Sequence, residues 1–193
     1  DVPTPVFLPF AYLPLTTTKK SGIVIPTYGQ SANQGYFLQN GGYYFAGNDF
    51  FDLTVLGDMY SNGSWGVSTA SSYKKRYKYS GGINLNYESL IYSIQGFDNY
   101  SKSKNYNFRW SHSQDSKANP NSKLSASVNL GSSNYYSQSL NEYNNENALT
   151  NTLSSSVSYY RKIVGTPFNF TASAAHSQNT NTETINMTLP TFQ

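Results

Sequence analysis

Strict two-residue alternation of apolar and polar side chains runs through almost the whole chain and constrains its fold more than any other feature. In 124–130, Leu124, Ala126, Val128 and Leu130 fall on one side and Ser125, Ser127 and Asn129 on the other. In 152–159, Leu153, Val157 and Tyr159 oppose Thr152, Ser154, Ser156 and Ser158, and 168–174 sets Phe168, Phe170, Ala172 and Ala174 against Asn169, Thr171 and Ser173. The same reading holds for Ile83, Leu85 and Tyr87, for Tyr106, Phe108 and Trp110, and for Ile185, Met187 and Leu189. No stretch carries a convincing 3.6-residue period. Side chains that alternate this way belong to pleated strands, so the chain is all-β.

The pattern gives roughly eleven or twelve strands, near 5–15, 21–30, 34–46, 50–60, 63–79, 82–97, 105–114, 121–133, 149–162, 167–178 and 182–192. Tight links rich in turn formers stand at 47–49, 61–63 and 164–167, and longer polar links at 98–104, 115–120 and 134–148. Strands joined this tightly are antiparallel neighbours. Nothing resembles a domain linker, so residues 1–193 read as one continuous sheet.

The open question is what medium the apolar side meets. A soluble sandwich would cover it with a second sheet and present charge outside. Here only 12% of residues are charged, and Ser, Asn and Thr (28, 22 and 16) dominate the polar side. The strands are long enough to cross a bilayer when tilted, and Tyr and Phe gather near their ends, as in Tyr43-Tyr44-Phe45, Phe50-Phe51, Tyr135-Tyr136 and Tyr159-Tyr160. These features favour an antiparallel transmembrane β-barrel over an aromatic-rich sandwich.

Composition excludes several functions. Cys is absent, which removes disulfides, thiolate nucleophiles and Cys-based metal sites. A net charge of +3 with one dense basic run, Lys74-Lys75-Arg76 and Lys78, reads as a solvated strand end or loop and not as a nucleic-acid stripe. His112 and His176 sit in echoing strings without further ligands at metal spacing, so neither a metal nor any other cofactor is implied. Asp52 and Asp58 share one strand parity; without an accompanying nucleophile or His they suit a hydrated wall better than acid/base chemistry. Asn84 and Asn86 are read as facing the same lumen, Trp65 and Trp110 as interfacial or lipid-facing anchors and not as catalytic groups. The chain is not read as an enzyme.

The first two strand candidates differ from the rest. Pro5, Pro9 and Pro14 punctuate 5–15, and Pro26 interrupts 21–30. Proline cannot donate to a ladder and sits on edges or bulges, so either this is a weak sheet edge or the segment never joins a sheet.

The run Phe7-Leu8-Pro9-Phe10-Ala11-Tyr12-Leu13-Pro14-Leu15, followed by Lys19-Lys20-Ser21-Gly22-Ile23-Val24-Ile25-Pro26, resembles the start of the barrel in the LPS-assembly protein LptD (OstA) family. The resemblance continues in order through Gly42-Tyr43-Tyr44-Phe45-Ala46, Asn48-Asp49, Phe51-Asp52-Leu53-Thr54 and Tyr60-Ser61-Asn62-Gly63-Ser64-Trp65-Gly66, over residues 5–87. Trp110-Ser111-His112-Ser113-Gln114 and Gly165-Thr166-Pro167-Phe168-Asn169 are similar to the family's Asn/Ser-rich branch.

This resemblance implies a Gram-negative outer-membrane barrel that inserts lipopolysaccharide (LPS) into the outer leaflet. A lipoprotein plug of the LptE kind and periplasmic Lpt bridge proteins are its implied partners, with membrane lipid around it. Carried over by position, Pro9, Pro14 and Pro26 would weaken the lateral seam between first and last strands. Lys19 and Lys20 either contact lipid phosphates as point charges or form an ordinary solvated turn.

Departures from the family's pattern are that no jelly-roll precedes the strands and that cysteines are missing. The strand count also falls short of the family's barrel. The expectation is therefore a partial chain, the first part of a single barrel domain. Two other readings stay open: a different outer-membrane porin or nutrient transporter, and a secreted glycan-binding β-sandwich. A second layer covering the apolar side chains would decide for the sandwich.

Overall fold

A computed structural model describes residues 19–32, 34–93, 100–135 and 152–192. The candidate strand at 5–15, with Pro9 and Pro14, lies outside the described residues. The strands are β1 (Gly22–Val24), β2 (Thr27–Ser31), β3 (Gly35–Asn48), β4 (Phe51–Tyr60), β5 (Trp65–Lys75) and β6 (Tyr79–Tyr92). They continue with β7 (Ser101–Gln114), β8 (Ser122–Gly131), β9 (Thr152–Lys162), β10 (Asn169–Asn179) and β11 (Thr184–Phe192). All are antiparallel and form one sheet in chain order from β3 to β11, with β1 and β2 sharing the outer edge of β3. Among the described residues the sheet is open, with β1 and β2 at one edge and β11 at the other.

Local chemistry explains the links. Asx turns cap them, with Asn48 Oδ1 accepting from the Phe50 amide, Asn62 Oδ1 from Ser64, Asp115 Oδ1 from Lys117 and Asn119 Oδ1 from Asn121, each at 2.9 Å. Part of the chain's Asn content therefore serves turns. The 61–63 turn needs a left-handed residue, which Gly63 supplies at φ +87°.

Three strand boundaries differ from the sequence expectation. The single strand at 21–30 is broken into β1 and β2 at Ile25 and Pro26. The stretch 63–79 stops at Lys75, because Tyr77 takes φ +58° and Lys78 donates to the Lys75 carbonyl at 2.9 Å, a tight turn that apolar patterning does not mark. The polar link assigned to 98–104 instead joins the ladder from Ser101, where Lys102 and Ser103 pair with Ile91 and Leu90.

Register carries the alternation across the sheet as rows. On one face Val55, Thr69, Leu85, Phe108 and Leu130 stand side by side, next to Leu53, Ser71, Ile83, Trp110 and Val128. On the other run Thr54, Ala70, Asn84, Arg109 and Asn129, and Leu56, Ser68, Asn86, Asn107 and Gly131. A one-residue slip would exchange the faces, so pairing this regular holds them apart.

Burial runs opposite to that of a water-soluble domain. Met59 is 68% exposed, Leu85 47% and Val67 41%, all on the apolar face. Asn105 and Asn107, on the polar face, are 1% and 0% exposed. Among the described residues the buried hydrophobic side chains are Tyr60, Leu90, Ala126 and Leu153 alone, against buried Ser64, Glu88, Ser89, Asn105, Asn107 and Ser155. No second sheet covers either face among the described residues. The stacked layers that a sandwich requires are not there.

Candidate functional site

The first edge of the sheet is where the regular ladder fails. Gly22, Ile23 and Val24 pair with Tyr44, Tyr43 and Gly42, and Thr27 to Ser31 pair with Gln39 down to Gly35. Both runs keep one register, so Ile25 and Pro26 fall opposite Gly41 and Asn40. The pairing lapses there, where Pro26 has no N–H to offer. The two pieces supply three and five residue pairs, whereas β6 and β7 share fourteen. Interior ladders vary, with only six pairs between β8 and β9, so what sets the edge apart is that its pairing is one-sided among the described residues and broken in two.

The neighbouring strand is irregular at the same level. Between Leu38 and Gly41 the β3–β4 register shifts, placing Gln39 and Asn40 against the single residue Asp58. This is a β-bulge, and Asn40 adopts φ +58°, the left-handed conformation that Asn tolerates better than most side chains. Its amide donates to Asp58 Oδ1 at 2.6 Å. Gln39 is held on both sides: its Nε2 donates to the Tyr60 hydroxyl at 2.5 Å, and its carbonyl accepts from the Thr27 hydroxyl at 3.3 Å.

The bulge and the break compensate each other. A bulge inverts side-chain parity beyond it, so the exposed apolar residues of β3 are Tyr36 and Leu38 before it and Tyr43 and Phe45 after it. The edge strand inverts at the same point, with Ile23 and Ile25 exposed on one side of the break and Tyr28 on the other. The apolar face therefore stays continuous through the irregularity.

Small residues thin the wall around this point. A Cβ on Gly42 would stand 1.9 Å from the Val55 carbonyl oxygen, and one on Gly41 would stand 2.9 Å from Pro26 Cβ. Gly41 also pairs with Gly57. Phe37 lies across Gly29, its ring tip 2.6 Å from where a Cβ would be.

Above β1, Lys19 forms an ion pair with Asp52 of β4. Asp52 Oδ1 also accepts from the Ser72 amide at 3.0 Å and its hydroxyl at 2.6 Å, so one carboxylate ties the leading segment to β5. The hydrogen bond to Asp52 and that carboxylate's charge hold the Lys19 ammonium above its ordinary value. Lys20 is exposed.

The sequence-derived site residues divide as follows. Asp52, Asp58, Asn84 and Asn86 share the polar face through the register of β4, β5 and β6. Both aspartates have structural partners in Lys19, Ser72 and Asn40, while Asn86 donates to the Tyr135 hydroxyl at 2.8 Å. Pro26 lies at the edge break, and Pro9 and Pro14 lie outside the described residues. Sequence reasoning did not find Asn40. Its signal is Asn-Gly-Gly inside an alternating run, the composition of a bulge.

A model of the LptD protein family matches residues 1–193. The chain belongs to the LptD protein family. No curated protein matches it. LptD membership agrees with an all-antiparallel sheet without helices among the described residues, since the family's fold is a β-barrel. LptD proteins are transport components for LPS in the Gram-negative outer membrane, which makes this chain part of a transport and assembly protein.

Proposed function

We propose that this chain forms part of the wall of an outer-membrane barrel that delivers LPS to the outer leaflet. Its apolar face meets hydrocarbon, and its polar face, with Asp52, Asp58, Asn84 and Asn86, borders a hydrated lumen. The observation that carries this reading is the inverted burial in a single layer. Exposed Leu85, Val67 and Met59 would be costly in water and are at home against lipid tails. Aromatic side chains on that face flank the aliphatic rows. Trp65 and Tyr87 (5.5 Å between centroids) stand toward one end, and Tyr73, Tyr79 and His112 toward the other. Trp65 and Tyr73 lie eight residues apart on β5, roughly 26 Å along a strand at about 3.3 Å per residue, which at a tilt of about 40° spans about 20 Å of height, most of an apolar belt about 25 Å tall.

The edge at Pro26 forms one lip of a lateral seam, together with Pro9 and Pro14. Each missing N–H removes a bond of about 1 kcal/mol net, and more in lipid, where water cannot replace it. Acyl chains leave sideways between parted strands while sugars stay in the polar lumen. An LptE-type lipoprotein fills that lumen, and periplasmic Lpt bridge proteins supply the substrate. Lys20 is exposed and has no ion-pair partner among the described residues, so it is the better placed of the leading pair to meet a lipid phosphate.

The test replaces Pro9, Pro14 and Pro26 by Thr or Val in the full-length protein. Surface LPS falls and sensitivity to large hydrophobic antibiotics rises. Unchanged LPS delivery with a correctly folded barrel would remove the gate from this edge.

A further inference from the structure

The net charge of +3 conceals a strong polarity that only the strand connections reveal. Antiparallel connections place the links at 49–50, 76–78, 115–121 and 163–168 at one end of the sheet. Ten of the 13 Lys and Arg lie in or within two residues of these links, or just ahead of β1. They stand against the acidic Asp49, Asp52 and Asp115, a net of +7. Counted the same way among the described residues, the opposite end carries Lys102 and Glu183, so no comparable cluster of cations stands there.

The basic end is built with apolar surface beside its cations. Tyr77, turned outward at φ +58°, has the Arg76 guanidinium 4.9 Å and Lys117 Nζ 5.5 Å from its ring centroid. A cavity of about 330 Å³ opens there, lined by Lys74, Lys75, Arg76, Lys78 and Tyr79 together with Asp115. Along the same rim a cavity of about 880 Å³ sets Arg161 and Lys162 beside Ile163, Val164, Tyr159 and Phe170. Val164 and Phe168 are 71% and 67% exposed in the 163–168 link, where a water-facing turn would be polar. A cation poised over an apolar hollow matches a phosphate with acyl chains below it.

We propose that this rim binds the headgroups of anionic phospholipids, with phosphates at Arg76 and Lys78 and at Arg161 and Lys162, and acyl chains along the apolar face. The links at this end between β3 and β10 have two, three, seven and six residues, whereas those of the opposite end between β4 and β11 have four, eight, twenty and four, so the longest link lies opposite. Short turns mark the periplasmic side of outer-membrane barrels, so the lipids are those of the inner leaflet. This inference rests on the membrane-barrel reading above.

The experiment reconstitutes the full-length protein into phosphatidylethanolamine vesicles with and without phosphatidylglycerol. Insertion is followed by the heat-dependent gel shift, and retained lipid by native mass spectrometry after detergent extraction. Phosphatidylglycerol is retained preferentially. An R76Q/K78Q/R161Q/K162Q variant inserts but retains it at least about tenfold less, while K102Q/K104Q at the opposite end changes nothing. Insertion without lipid preference, or equal retention by the quadruple variant, overturns the headgroup site and leaves the barrel standing. Displacement of the lipid by millimolar inorganic phosphate marks a general phosphate site and overturns lipid recognition. Failure to insert into either vesicle overturns the barrel reading, and the rim proposal with it.

Discussion

The Asp58 carboxylate accepts the backbone amide of Asn40 at 2.6 Å, across a bulge that lies level with the Ile25 and Pro26 break in the edge strand. One side chain thus satisfies the amide of a left-handed residue in the strand that carries the interrupted edge pairing. Asp58→Ala leaves that amide unpaired, at an expected cost of about 1–3 kcal/mol, while Asp58→Asn keeps an acceptor and costs less. Urea unfolding midpoints in vesicles rank wild type above Asn above Ala; an unchanged midpoint for Ala shows that the bulge does not depend on this contact.

Gly42 approaches β4 more closely than any side chain allows. Gly42→Ala forces a methyl toward the Val55 carbonyl, a backbone atom that cannot swing aside, and costs about 1–3 kcal/mol. Gly29→Ala meets only the tip of the Phe37 ring, which rotates away, so its effect is smaller. Equal melting shifts for the two variants contradict this ordering.

The two faces respond differently to charge. Leu85→Lys places an ammonium on the apolar face and destabilises the inserted protein by about 2–4 kcal/mol, whereas Ser68→Lys on the polar face changes it by less than about 1 kcal/mol. The folded fraction in the gel-shift assay reads the difference. Similar losses at both positions would mean that the faces do not meet different media.

Lys19 and Asp52 join the leading segment to the sheet. Because the Lys19 ammonium is held above its ordinary 10.5, its contribution is complete below that pH and disappears as pH rises through the higher folded value. Wild type and Lys19→Gln therefore differ by a constant amount from neutral pH to near 10 and converge in stronger alkali, and added salt narrows the gap. Denaturant midpoints across pH measure it; a gap that vanishes near neutrality would exclude this pair as its source.

The strands from β3 to β11 were legible because two-residue alternation is a local property of the chain. The hairpin at 76–78 was legible only in part: the basic run Lys74-Lys75-Arg76 and Lys78 reads as a strand end or loop, but the left-handed backbone of Tyr77 is imposed by the hairpin and has no local signal. Asp52 and Asp58 were legible as sharing a face. Their partners were not, because Lys19 and Asn40 lie 33 and 18 residues away.

By itself the sequence determined that this chain makes long antiparallel strands with an apolar and a polar side, and that its leading strand is poor in ladder donors. Those outcomes follow from side-chain spacing and from the missing N–H of proline. Only the tertiary structure decided that the Pro26 break meets the Asn40 bulge, that no second layer covers the apolar side among the described residues, and that most of the chain's cations gather at one rim of the sheet. Each of these depends on which strand lies beside which and in what register, and that is settled by pairing between distant parts of the chain.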